Sequence, residues 1–198
     1  MRALVALLLV LPLTAADLVC LGDSLTAGFG VDPDQAWPAL LQQRLSAAAT
    51  TAQWRVVNAG VSGDTTAGGL RRIDRLLAAR PAAVFVCLGG NDGLRGLPTA
   101  TMRANLDRIL ARIQAAGARP LLAGIEMPTS FPDEDRADFT AVFPAVAAAH
   151  RAPLLPSLLT GVAMVPQLNL PDRIHPNPEG HRRIAAQVHA WLIPHLAP

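Results

Sequence analysis

Four short stretches of this 198-residue chain carry side chains suited to nucleophilic chemistry at a carbonyl. The first is Gly22-Asp23-Ser24-Leu25, which follows an apolar run and leads into a helix-like stretch. A serine at such a turn has its hydroxyl exposed beside the free N–H groups of a helix start, which is where a nucleophile belongs. The same tetrapeptide also fits a plain helix N-cap. The second stretch is Asn58-Ala59-Gly60-Val61-Ser62-Gly63-Asp64-Thr65, a glycine-containing loop whose backbone N–H groups can converge on an anion, or a simple helix-entry turn. The third, Gly89-Gly90-Asn91-Asp92-Gly93, offers a side-chain amide donor at Asn91 and is also a good turn former. The fourth is Asp172-Arg173-Ile174-His175-Pro176-Asn177-Pro178. A neutral histidine there can accept a serine proton, and a carboxylate three residues away can fix its tautomer, although a histidine in a proline-rich loop also suits an exposed surface. Taken together, a nucleophile, a donor loop, an amide and an acid–histidine pair are the set that acyl transfer requires.

Such a set works only if the fold brings the stretches together. Apolar runs at Leu18–Leu21, Trp54–Val57, Ala83–Leu88, Leu121–Ile125 and Pro153–Leu155 read as buried strands. Between and after them lie helical patterns at 37–48, 69–79, 101–116, 137–150 and 178–192. In the third helix Met102, Leu106, Ile109, Leu110 and Ile113 recur at helical spacing opposite a polar face. Alternating strands and helices predict an α/β fold, a three-layer α/β/α sandwich around a mostly parallel five-stranded sheet. Ligands of such sheets bind beyond the carboxyl ends of the strands, where all four stretches fall.

Composition narrows the class. All 17 basic residues are arginines, so Schiff-base and P-loop lysine chemistry are excluded. A net charge of +2 without a basic cluster gives no footprint for nucleic acid. Arg2, the apolar run Ala3–Leu13 and the small residues Thr14, Ala15 and Ala16 read as a secretory signal over 1–16, with an N-terminal core element as the alternative. The run is too short to span a membrane, so the expectation is an exported, periplasmic or secreted protein with one domain over 17–198 and no stable membrane anchor. Cys20 and Cys87 sit in apolar runs and read as buried free thiols, with a cross-strand disulfide as the alternative.

The four stretches, in order, resemble the four blocks of the SGNH (GDSL) hydrolases. Gly22 to Gly28, Ala36 to Leu41, Val56 to Asn58, Ser62 to Thr65 and above all Gly89 to Gly96 are similar to the bacterial periplasmic thioesterase/lysophospholipase branch, an arylesterase-like group. The resemblance implies a flavodoxin-like fold and a cofactor-free, metal-free serine hydrolase. It implies Ser24 as nucleophile, His175 as base and then acid, and Asp172 as the orienting carboxylate. The implied oxyanion donors are the Ser24 N–H, the Gly63 N–H and the Asn91 amide, with Gly60 as a competing choice for the glycine.

Asp23 and Asp64 read as turn-shaping and helix-capping residues, Asp92 as a brace for the Asn91 loop, and His150, His181, His189 and His195 as structural or exposed. For substrate contacts, Gly93, Leu94, Arg95 and Leu97 form a candidate adaptive loop, or a connector that covers the core. Met127, in the apolar segment 126–139, is a candidate acyl wall. The expected partner is a small acyl ester or thioester. A carbohydrate acetyl-esterase of the same chemistry and a non-catalytic α/β binding module are the alternatives.

Overall fold

The computed structural model describes residues 15–48, 50–51 and 53–196. The signal segment therefore lies largely outside the described residues. Five strands form one sheet: β1 (Ala16–Gly22), β2 (Trp54–Gly60), β3 (Ala83–Cys87), β4 (Arg119–Ala123) and β5 (Leu154–Leu155). Every pairing is parallel, and the order is β2-β1-β3-β4-β5. The helices among the described residues are α1 (Ser24–Ala27), α2 (Trp37–Ser46), α3 (Thr66–Leu77), α4 (Gly90–Leu94), α5 (Thr99–Ala115), α6 (Asp133–His150) and α7 (Pro178–Leu196). Helices α3, α5 and α6 pack side by side in one layer, and α2 packs on α7 in the other.

Burial explains the layers. All five residues of β3 are buried, as are Met102, Leu106, Ile109, Leu110 and Ile113 of α5. On the other side Phe85 meets Trp37 edge-on at 6.0 Å between ring centroids and stacks on Trp191 at 5.3 Å. A central parallel strand is covered on both faces, so it reads as an unbroken apolar run.

Strand β2 departs from the expected buried form. It lies at the sheet edge, where only Trp54 of its seven residues is buried and Arg55 pairs with Asp17 of β1. Helix α3 starts three residues earlier than its apolar pattern, because the Thr65 side chain caps it by accepting from the Gly68 N–H. Asp64, expected to cap, is instead in an ion pair with Arg72 at 2.7 Å. Cys20 and Cys87 are free, buried and on neighbouring strands, with Cys87 opposite Gly22 rather than Cys20.

The strand order decides where loops meet. Strand β1 lies between β2 and β3, so the connections leaving β1 and β3 depart in opposite senses and open a crevice at the carboxyl edge. Among the described residues no helix is long and apolar enough to cross a membrane.

Candidate active site

Ser24 is the first residue of α1, separated from the end of β1 by Asp23 alone. Asp23 before it is buried and caps this short helix through the Leu25 N–H at 2.9 Å. The Ser24 N–H donates to no acceptor among the described residues. Its hydroxyl lies 2.9 Å from His175 Nε2, across 151 positions of sequence. His175 Nδ1 lies 2.7 Å from Asp172 Oδ2, and the other carboxylate oxygen accepts from the Ile174 and His175 N–H groups at 2.9 and 3.0 Å.

A carboxylate can only accept, so the proton in the His175–Asp172 bond sits on Nδ1 and Nε2 is left as the acceptor of the serine hydroxyl. Burial raises the Asp172 carboxyl, but the His175 and Ile174 backbone bonds and the imidazole outweigh it, and the group falls to about 2. The carboxylate is therefore ionised throughout the neutral range. The two backbone bonds also close the segment 172–175 into a turn, from which the imidazole reaches Ser24.

The loop after β2 turns at Gly63, whose φ of +78° lies in the left-handed region that a side chain disfavours. The Gly63 N–H has no acceptor among the described residues, and the Gly63 carbonyl accepts from Arg95 at 2.7 Å. Asn91 Nδ2 donates to the Asp64 carbonyl at 3.0 Å and to Asp23 at 3.3 Å. Both of its hydrogens are thus directed, with the Asp23 contact the longer of the two. Burial pushes the Asp23 carboxyl up to about 6, against the opposing pull of the Leu25 N–H, His175 and Asn91.

Two residues fasten these loops. Asp92, buried in α4, accepts from the Thr66 N–H at 2.8 Å and the Thr66 hydroxyl at 2.5 Å, which ties the Asn91 turn to the start of α3. Arg72 of α3 spreads three bonds: to Asp64 at 2.7 Å, to the Ala59 carbonyl at 2.7 Å and to the Gly22 carbonyl at 2.8 Å. Arg72 thereby joins the ends of β1 and β2 to the turn that carries Gly63. Sequence reasoning passed over it, because an arginine in an amphipathic helix reads as a solvated face. Its signal was its place eight residues after Asp64, which stands in the loop just before the helix.

Beside Ser24 and His175 opens a cleft of about 260 Å³, walled mainly by apolar side chains. Leu94 and Met127 line it, as do Ile125, Phe139, Leu159 and Met164. Gly93, Arg95 and Leu97 do not line it. Gly93 lies behind the wall, where an added Cβ would come within 2.9 Å of Phe139 and 3.1 Å of Met127. Arg95 braces the Gly63 turn, and the half-exposed Leu97 stands outside. Leu159, Ala163 and Met164, beyond β5, were not singled out from the sequence; their signal was apolar side chains in a loop at the same sheet edge. Phe29 was missed as well: its ring lies against His175 at 4.5 Å between centroids. Among the described residues no group of three or more His, Cys, Asp or Glu is arranged to hold a metal ion.

The sequence profile of the GDSL-like Lipase/Acylhydrolase family matches residues 20–183, a span that contains every loop just described. The chain belongs to this family. Esterase TesA of Pseudomonas aeruginosa is 43% identical over 183 residues, which cover 92% of this chain and 90% of that protein. The Escherichia coli K12 protein named thioesterase 1/protease 1/lysophospholipase L1 is 40% identical over 186 residues, 93% of this chain and 85% of its own length. A crystal structure of TesA superposes with a TM-score of 0.87 at 42% identity, covering 91% of this chain and 99% of that one. In this acylhydrolase the family's namesake Gly-Asp-Ser-Leu is residues 22–25, of which Asp23, Ser24 and Leu25 line the apolar cleft.

Proposed function

We propose that this protein is an exported serine hydrolase that cleaves carboxylic esters and thioesters through an acyl-Ser24 intermediate. The observation that carries the reading is the continuous chain from Ser24 Oγ to His175 to Asp172, opening on an apolar cleft. Ser24 attacks the carbonyl carbon while its proton passes to His175 Nε2, and Asp172 stabilises the imidazolium that forms. The tetrahedral oxyanion takes the unengaged Ser24 and Gly63 N–H groups and the Asn91 amide, which gives up its longer contact with Asp23. His175 then returns the proton to the leaving alcohol or thiol. In the second half, water attacks the acyl carbonyl with His175 again as base, the bond to Ser24 Oγ breaks as His175 returns the proton to it, and the carboxylic acid leaves. The residues present complete this cycle with no metal or cofactor taking part.

The cleft's side chains suit a fatty acyl or aryl acyl group more than a hydrated sugar. Together with the names of the relatives, this favours acyl esters, aryl esters, lysophospholipids and acyl-CoA over the carbohydrate acetyl-esterase alternative. Leu94 and Met127 are the proposed acyl contacts, while Gly93 shapes the wall behind them and Arg95 supports the Gly63 turn. Leu97 has no assigned substrate contact.

Export is supported by the charge, apolar run and small residues of 1–16. Strand β1 starts at Ala16, so removal of that segment leaves the strand almost whole and a single domain over 17–198. N-terminal sequencing of the mature protein tests the boundary.

The direct test of the chemistry is a fluorophosphonate probe with intact-mass readout. One adduct is expected per chain, located on Ser24 and absent in Ser24→Ala. An unlabelled, folded protein refutes the reading. p-Nitrophenyl esters from acetate to long chain, run beside an acyl-CoA and a lysophospholipid, then define the acyl preference.

A further inference from the structure

Exposed apolar side chains are distributed unevenly over this molecule. Among the described residues seven large ones are exposed, and six of them, Phe29, Val61, Leu94, Leu97, Met164 and Ile174, stand between the end of a strand and the next long helix. In a sheet whose strands are all parallel, those segments share the carboxyl edge. The seventh, Ile193, lies about 22 Å along α7 from the start of that helix. The helix-to-strand segments of the opposite edge, 47–53, 78–82, 116–118 and 151–153, contain no large apolar residue. We infer that the carboxyl edge is a docking surface by which the protein rests reversibly on a zwitterionic phospholipid bilayer, with the cleft facing the lipid.

The six side chains form one region. Leu94, Met164 and Ile174 also line the cleft, so the exposed apolar surface continues into it. Ile174 precedes His175, whose ring meets that of Phe29. The bond from Arg95 to the Gly63 carbonyl holds the segment of Leu94 and Leu97 beside the turn that follows Val61. Each of the six keeps between 39% and 53% of its surface in solvent, and apolar surface gathered in this way marks a site that something covers.

Continuity with the cleft selects the occupant. A second copy of the chain, or another protein seated on this rim, would close the entrance to Ser24. A bilayer covers the rim and at the same time presents acyl chains to the cleft; from the reading above the inference takes only that the cleft receives acyl groups. Arg95 and Arg173 are exposed and adjoin Leu94 and Ile174 in the chain, which puts guanidinium groups at the level of the headgroup phosphates when the apolar side chains enter the interface. The exposed Glu126 and the acidic first turn of α6, Asp133, Glu134 and Asp135, stand at the same edge. Charges of both signs suit a headgroup that carries phosphate and ammonium together, and they oppose a uniformly anionic surface.

The test is flotation with phosphatidylcholine vesicles, carried out in the Ser24→Ala background so that no lipid is consumed. That protein is expected to float with the vesicles. Val61→Gln combined with Leu97→Gln alters two rim side chains outside the cleft walls and should weaken the partition about ten-fold, and Leu97→Gln alone about three-fold. Ile193→Gln, at a side chain of similar exposure (43%) away from the rim, should leave the partition unchanged. A Ser24→Ala protein that stays in the aqueous phase overturns the inference, as does a loss equally large in Ile193→Gln or absent from both rim variants. A protein that sediments as a dimer, and as a monomer once Val61 and Leu97 are replaced, assigns the patch to a second copy and overturns it as well. Failure of the hydrolase reading has a different signature: vesicle binding intact in a wild type that hydrolyses no ester and takes no fluorophosphonate.

Discussion

Acid should weaken this fold through His181, and the size of the effect follows from its surroundings. His181, on the first turn of α7, is only 1% exposed, and its Nδ1 accepts from the Trp37 N–H at 3.2 Å. Trp37 opens α2, whose N-cap Ala36 supplies no side-chain acceptor, so the imidazole satisfies a helix-start N–H that would otherwise be orphaned. Because Nδ1 accepts, the ring proton is on Nε2, which is buried without a partner among the described residues. A second proton on Nδ1 would face the Trp37 N–H, donor against donor. Burial, and then the nearby charge of His175, push the His181 pKa down from 6.5 to about 4. The unfolded chain therefore binds this proton more readily, and stability is lost as pH falls from about 6.5 towards 4. Linkage over that shift gives about 2 kcal/mol lost between pH 7.5 and pH 5 from this group alone. Asp23 acts in the opposite sense: its carboxyl, raised to about 6, contributes stability as pH falls through 6 towards 3.8. The assay must therefore compare wild type with His181→Asn, in which Oδ1 can occupy the Nδ1 position and accept the same N–H without titrating. Urea midpoints at pH 7.5 and pH 5 are expected to drop by about 1 M more in the wild type than in the variant, for a slope of about 2 kcal/mol per molar. Equal drops in the two proteins would refute the account, whatever their absolute stabilities.

Three further outcomes are expected, two at the site and one in the core. Asn91→Ala removes a proposed oxyanion donor and should lower kcat about 10²- to 10³-fold with little change in KM, as steady-state kinetics on a p-nitrophenyl ester will show. Arg72→Met breaks three bonds that join β1, β2 and the Gly63 turn; a loss of about 2–4 kcal/mol in denaturant stability is expected together with reduced kcat, and wild-type values of both would remove Arg72 from the positioning of the site. Burial pushes both the Cys20 and the Cys87 thiols up, so neither should react with a disulfide reagent in the native protein at neutral pH, while both should react after unfolding; rapid native labelling would contradict their burial.

The alternation of apolar strands and amphipathic helices was legible because parallel strands covered on both faces need unbroken apolar runs, as in β3, and covering helices need one apolar stripe, as in α5. Edges were less legible. The exposed residues of β2 and the two-residue β5 reflect position in the sheet, a property that no local window contains. The helix boundary at Thr65 turned on which of two adjacent polar residues reached the Gly68 N–H, and Asp64 was taken by Arg72 eight residues away. In the loop after β3, Leu94 reaches the cleft while Arg95 and Leu97 do not, because neighbouring side chains along a chain point in different directions; Met127 reaches it from the separate loop after β4.

By itself the sequence determined the chemical inventory: a serine after one apolar run, glycine and asparagine loops after two others, an aspartate three residues from a histidine, and the alternation that sends such loops to one sheet edge. The tertiary structure alone decided the distances. Whether Ser24 and His175, 151 positions apart, stand 2.9 Å from each other depends on β1 lying between β2 and β3 and on α7 packing over α2, and those are non-local choices made by the burial of the whole core. The anchoring by Arg72, the ring of Phe29 beside the imidazole and the buried acceptor on His181 belong to the same category, since each is a contact between elements that only packing brings together.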